Sequence, residues 1–292
     1  MVEENSFFAN IAFRLVRKHI AGTTVATVLK RAMEINKEGM GATITFLNDH
    51  VDSQAKAKYN ESAYMQLMHQ ISRLNIKANI SVRPTQLGYA IDENIANKYM
   101  SNIVGYAEKN KMIVWAEYEK KTHYTERLLR NGGMSDALGA EIPYSLALKF
   151  DDKAGMHCKL IKVVPDIENG DTSDEIKSGK GGKEKKRNEK TITEYVECLD
   201  RVCGAGARLS LFAHDDRFAL KAIAKSKHRK GLILELPFGY SKKKLAKISK
   251  ERINVNIYTP YGKDWVPYAV NKLTEGKRHK IAKLILEGRH PG

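Results

Sequence analysis

Eight short apolar, β-prone runs recur along the chain of 292 residues, and helical patterns separate most of them. The runs lie at 42–47 (ATITFL), 76–82 (IKANISV), 112–117 (MIVWAE), 144–150 (YSLALKF), 158–164 (CKLIKVV), 208–213 (RLSLFA), 232–236 (LILEL) and 254–259 (NVNIYT). Most are continuous rather than alternating, as expected for strands covered on both faces of a parallel sheet. Helical patterns fill 53–74, 93–109, 122–131, 190–203, 215–227, 241–250 and 264–275. Strand then helix, repeated about eight times, predicts an α/β fold of (β/α)8, TIM-like type. A doubly wound sheet gives a similar pattern and stays open as the alternative. The segment 7–36 reads as one or two helices packed ahead of the first strand.

Two places break the rhythm. Only residues 151–157 separate the fourth run from the fifth, whereas a parallel crossover needs about ten residues or more. The turn-like DDKAG there predicts a lost helix and a barrel distorted around strands four and five, with antiparallel pairing of the two runs as a further option. The second break is 168–190, rich in Gly, Ser and charge; its part 177–190 holds seven basic residues against two acidic ones. It reads as a flexible insertion at the C-terminal end of the fifth strand, the side of a barrel that carries active sites. The whole chain, 1–292, is expected to be one barrel domain carrying this insertion.

Composition narrows the function classes. No run of about 18 apolar residues exists, so no membrane span is expected. The first residues place acids before basics and offer no small-residue cleavage site, which argues against a secretory signal. Three cysteines, Cys158, Cys198 and Cys203, show no metal spacing, and their odd count fits a reducing cytoplasm. P-loop, dinucleotide-fingerprint, HExxH and nucleophile-elbow patterns are all missing. The net charge of +16 favours contact with polyanions or reflects a strongly solvated surface.

Several blocks then stand in a telling order. ISVRPTQLGYAID (80–92) resembles the strand-two motif SVKxTQLG of flavin-dependent proline dehydrogenases. INVNIYTPYGKDWVPYAVNKL (253–273) is similar to that family's strand-eight and helix-eight signature. Between them AHDD (213–216) stands where the family has THD or THN, LELPFGYS (234–241) where it has FQMLYGxR, and 21–49 matches its first helix and strand. The resemblance covers nearly the whole chain. It implies an oxidoreductase that passes a hydride from proline, or a related cyclic imino acid, to FAD at the barrel's C-terminal face.

Carried over position by position, the resemblance implies a substrate pocket of Arg83, Glu117, Tyr258, Asn271 and Lys272, with Asp49 as the acid that gates it. Arg83 replaces a lysine and Glu117 an aspartate, and Tyr258 is the tyrosine that packs against proline. Two adjacent arginines normally clamp the substrate carboxylate bidentately; Asn271 and Lys272 stand there instead. Lys159, Lys162, His214 and Glu235 fall at flavin-contacting positions, Lys159 in place of an arginine and Glu235 in place of a glutamine. The strand-four glutamine of the family has no counterpart in GAEIPYSLALKFDD (139–152).

A second reading rests on charge alone. Lys221, Lys225 and Lys227, Lys242 to Lys244, and the basic C-terminal tail suit a barrel that has given up catalysis and binds RNA or a ribonucleoprotein through its exterior.

Overall fold

A computed structural model describes residues 19–131, 135–147, 157–161, 181–204, 208–212, 216–228, 231–240, 242–266 and 268. Eight parallel strands close into a barrel in sequential order. They are β1 (Gly41–Phe46), β2 (Ala78–Val82), β3 (Val114–Ala116), β4 (Leu138–Pro143), β5 (His157–Ile161), β6 (Arg208–Phe212), β7 (Ile233–Pro237) and β8 (Asn254–Tyr261). Closure runs through β1 and β8, paired from Gly41–Asn256 to Phe46–Tyr261. The helices are α1 (Val25–Lys37), α2 (Gln54–Arg73), α3 (Glu93–Lys109), α4 (Tyr124–Asn131), α5 (Tyr144–Ala147), α6 (Gly181–Gly204), α7 (Asp216–Lys225) and α8 (Lys242–Ser249). The doubly wound alternative falls to this closed order. Among the described residues, no helix is long and apolar enough to cross a membrane.

Local chemistry explains where elements begin and end. Thr24 caps α1 and Ser53 caps α2, each accepting a backbone N–H of the first turn. After β2, Pro84 stops the ladder because it has no N–H to give, and Arg83 before it stays extended at φ −85°, ψ 132°. A 3-10 turn, Pro84–Leu87, follows and ends on Gly88 at φ 90°, a left-handed position that glycine fills without strain.

The strands alternate. Ala42, Ile44, Ile80, Val114, Leu160, Leu211, Leu234 and Ile257 are buried and join the hydrophobic core, which also takes the apolar stripes of the helices, such as Leu67, Met68 and Ile71 of α2. Thr43, Lys159, Glu235 and Tyr258 instead make contacts between non-adjacent strands, which can pass only through the barrel interior. The apolar reading of each run registered the outward residues; the inward face is polar.

Seven of the eight expected strands fall in place, and the fourth does not. β4 lies at Leu138–Pro143, ahead of the apolar run expected to form it, which opens instead with the single helical turn α5. β4 and β5 pair parallel, from Gly139–His157 to Pro143–Ile161, so the antiparallel option is overturned. The expected loss of the fourth crossover helix falls on residues that are described only in part: Tyr144–Ala147 form the helical turn α5 of 4 residues, and residues 148–156 lie outside the described set. The boundary of the insertion also shifts: α6 begins at Gly181, so residues 181–190 are helical, while 168–180 lie outside the described residues.

Candidate active site

The C-terminal ends of β1, β2 and β3 deliver Asp49, Arg83 and Glu117 to one mouth of the barrel, and β8 brings Tyr258. The Glu117 backbone N–H still donates to the Val82 carbonyl at 2.9 Å, which extends the β2–β3 ladder one residue and fixes the side chain's direction. Arg83 donates from Nε to Glu117 Oε2 at 2.8 Å and from Nη1 to Asp49 Oδ2. The Tyr258 hydroxyl donates to the other Glu117 oxygen, Oε1, at 2.7 Å. Burial pushes the Glu117 carboxyl upward, but the Arg83 charge and the Tyr258 hydrogen bond outweigh it and hold the group below its ordinary range. Burial and the Glu117 charge push the Tyr258 phenol well above its usual value, so it remains a donor.

A polar network supports this line from beneath. Gln86 is fully buried and donates from Nε2 to Asp49 Oδ1 at 2.7 Å and to the Phe46 carbonyl at 2.6 Å. Its Oε1 accepts from the Tyr64 hydroxyl at 2.8 Å and from the Arg83 backbone N–H at 3.2 Å. The Thr85 backbone N–H and hydroxyl both donate to Glu119, at 3.0 and 2.5 Å. Burial raises the Glu119 carboxyl, partly opposed by those two Thr85 bonds.

Deeper in the barrel sits a second cluster. Lys159 on β5 has no exposed surface and donates to Glu235 Oε1 on β7 at 2.7 Å. The Thr43 hydroxyl donates to the other Glu235 oxygen at 2.6 Å. The Lys159 ammonium lies 4.9 Å from the centre of the Trp115 ring and 5.8 Å from that of Tyr258, both attractive for a cation over an aromatic face. Glu141 on β4 comes within 3.8 Å of it. Burial pushes the Glu141 carboxyl up to about 8; Lys159 draws it back, while Glu117 and Glu235 add to the rise.

Asp49, Arg83, Glu117 and Tyr258 thus lie in one contact chain, and Lys159 joins Glu235 in a separate, more deeply buried group. Lys162, His214, Asn271 and Lys272 lie outside the described residues. Sequence reasoning missed Glu141, because the strand that carries it is expected too late in the chain on apolar pattern alone. It also passed over Gln86, although the TQLG of the second-strand motif contains it. Among the described residues no group of His, Cys, Asp and Glu side chains suits a metal ion.

No family model matches this chain. Curated relatives do. Proline dehydrogenase 1 of Bacillus subtilis subsp. natto is 21% identical over 289 residues, covering 93% of this chain and 89% of that protein. Proline dehydrogenase 2 of Bacillus subtilis strain 168 is 22% identical over 270 residues, covering 88% and 85%. Over nearly its whole length the chain is thus similar to proline dehydrogenases. Among solved structures, proline utilization A from Bdellovibrio bacteriovorus, inactivated by N-propargylglycine, shares the fold with a TM-score of 0.68 at 16% identity. That match takes in 96% of this chain but 36% of the other, so this proline dehydrogenase relative spans about a third of the longer protein.

Proposed function

We propose that this chain is a single-barrel oxidoreductase that removes a hydride from proline or a related cyclic imino acid and delivers it to FAD. The observation that carries this reading is the contact chain Asp49–Arg83–Glu117–Tyr258, built from the C-terminal ends of β1, β2 and β3 and from the middle of β8, at the mouth where barrel enzymes act. Kinship with proline dehydrogenases supports the substrate class.

The inner donor set suits a flavin. Lys159 has N–H groups beyond the one given to Glu235, and Glu141, still carrying its proton at neutral pH, offers a donor and an acceptor much as an amide does. Lys159 and Glu141 would hold the isoalloxazine, with Lys162 and His214 as further candidates. When bound, FAD supplies the hydride acceptor that no amino-acid side chain provides.

The remaining work falls to the chain's own groups. Tyr258 offers a flat face for the substrate ring, and its hydroxyl is tied to Glu117 so the face cannot turn away. Glu117, kept ionised by Arg83, sets a negative charge where the substrate's ammonium arrives. By the resemblance, Asn271 and Lys272 stand where the family has its bidentate clamp, which leaves one point charge there for the carboxylate. The test is the visible spectrum of the full chain reconstituted with FAD and mixed anaerobically with proline. Bleaching of the flavin band is expected. A flavin-loaded protein that proline does not bleach overturns the reading.

A further inference from the structure

The deeper cluster holds more carboxyls than cations, and more donors than it uses. Lys159 has no exposed surface, and Glu235 beside it gives one oxygen to the ammonium and the other to the Thr43 hydroxyl. Glu141 is the third member and the least firmly held. It stands 3.8 Å from the Lys159 ammonium, and its Oε1 accepts from the Tyr118 backbone N–H at 3.4 Å. The charged and titratable groups around it are Glu117 on β3, Lys159 and His157 on β5, Glu235 on β7 and Tyr258 on β8, with Arg83 committed to Glu117. Two further donors in this ring of strands have no partner among the described residues. One is the indole N–H of Trp115, whose ring lies 4.9 Å from the Lys159 ammonium. The other is the hydroxyl of Ser210, the β6 residue in register with Lys159; it shares the inward face, since Leu209 and Leu211 on either side join the outer core. Trp115 is 2% exposed and Ser210 1%, so neither donor is satisfied by bulk water, and both call for acceptors from a ligand.

We propose that this cluster receives a flavin ring only while Glu141 carries a proton, with Ser210 and Trp115 as donors to the same ring. The inference deepens the function proposed above and rests on it for the identity of the ligand. The edge of an isoalloxazine presents carbonyl and imine acceptors with a single N–H among them. A protonated Glu141 adds an O–H to the donors of Lys159, Ser210 and Trp115, and its carbonyl oxygen still accepts that N–H. An ionised Glu141 adds no donor, turns lone pairs toward acceptors, and sets two carboxylates against one ammonium. A bound ring also covers the part of Glu141 that water reaches, 14% of the side chain, and a carboxylate sealed away without a donor is strongly disfavoured. Burial already pushes this carboxyl up to about 8, with Lys159 opposing and Glu117 and Glu235 adding to the rise. Below that pH the proton is in place and affinity is level. Above it, affinity falls about tenfold with each pH unit, because binding must first restore the proton.

FAD is titrated into the full-length wild type, E141Q and S210A from about pH 6 to about pH 9.5, with binding followed by quenching of flavin fluorescence. Wild-type affinity is expected to stay level to about pH 8 and to be at least about tenfold weaker at about pH 9.5. E141Q carries a permanent amide and should keep the wild type's low-pH affinity across the range. S210A should bind roughly fivefold more weakly at every pH yet keep the break, since it removes a donor and no proton equilibrium. Calorimetry of the wild type in two buffers of different ionisation heat counts the proton and stays decisive if E141Q fails to fold. About one proton should be taken up per FAD at about pH 9.5, and none at about pH 6. A wild-type affinity level with pH, a fall shared by E141Q, no proton uptake, an S210A affinity equal to wild type, or no FAD bound by any form overturns the proposal. Turnover is not needed. A chain that shows this break, but whose flavin proline never bleaches, defeats the proposed function and leaves the proton requirement standing. One that oxidises proline while wild type and E141Q bind FAD alike at every pH defeats the proton requirement alone.

Discussion

Glu141 sits where three carboxyls, Glu117, Glu141 and Glu235, share the neighbourhood of the Lys159 ammonium. Glu235 holds the ammonium directly and Glu117 has Arg83, so Glu141 is the carboxyl left to carry a proton. The folded chain keeps that proton to a pH of about 8, while an ordinary carboxyl releases it near 4.5. Between those values the folded state binds more protons than the unfolded one, so this residue makes stability fall as pH rises across the window. E141Q removes the penalty. Its stability relative to wild type is expected to grow from near zero at pH 4.5 to on the order of 1–3 kcal/mol at pH 8, read from urea midpoints. A difference that stays flat with pH would mean the carboxyl is ionised throughout. At this scale the sequence was legible for Arg83, Glu117, Tyr258 and Asp49, since each lies inside a motif with fixed spacing. It was not legible for Glu141, whose significance comes from Lys159 and Glu235 on strands far away in sequence.

Strand β4 shows why one element was misread. Its sequence, LGAEIP, contains Gly, Glu and Pro, all poor strand formers, whereas the next run, YSLALKF, looks better on propensity. The closed barrel overrides propensity. Gly139 faces Trp115 so closely that an added Cβ would stand 2.5 Å from a ring carbon and 2.9 Å from the His157 Cβ. Trp115 is 2% exposed and has little room to retreat. Gly139→Ala is therefore expected to cost about 1–3 kcal/mol, measured by chemical denaturation. Gly105→Ala is the matched control: it lies within α3 with nothing within 4 Å of its added Cβ, and should gain roughly 0.5–1 kcal/mol from helix propensity. Equal effects from the two changes would refute the packing account. Elsewhere the elements were readable because caps and breakers agreed with periodicity, as at Ser53, Pro84 and Asp92. The start of α6 was hidden by its two leading glycines and its lysines, which resemble a loop by composition.

Across the molecule the formal charge is +16, yet the described groups at the barrel mouth and interior include four acids, Asp49, Glu117, Glu141 and Glu235, against Arg83 and Lys159. The positive excess therefore lies elsewhere on the chain, where like charges repel one another. Raising sodium chloride from about 20 mM to about 300 mM should screen that repulsion and lift Tm by roughly 2–4 °C. A Tm that falls with salt would show that attractive pairs outweigh the repulsion. The order of eight strands was readable in the sequence because strand and helix alternate, and the barrel was the fold it predicted, but the polar lining was not, since it depends on residues that meet across the axis. The Lys159–Glu235 pair is such a meeting, and it constrains how lineages of this chain can change. Exchanging either partner alone strands a buried charge at a cost of about 3–5 kcal/mol, a large share of the stability of a typical fold. A descendant can lose both or keep both, but the single-step intermediates are disfavoured. Positions 159 and 235, 76 residues apart, should therefore be inherited as one character.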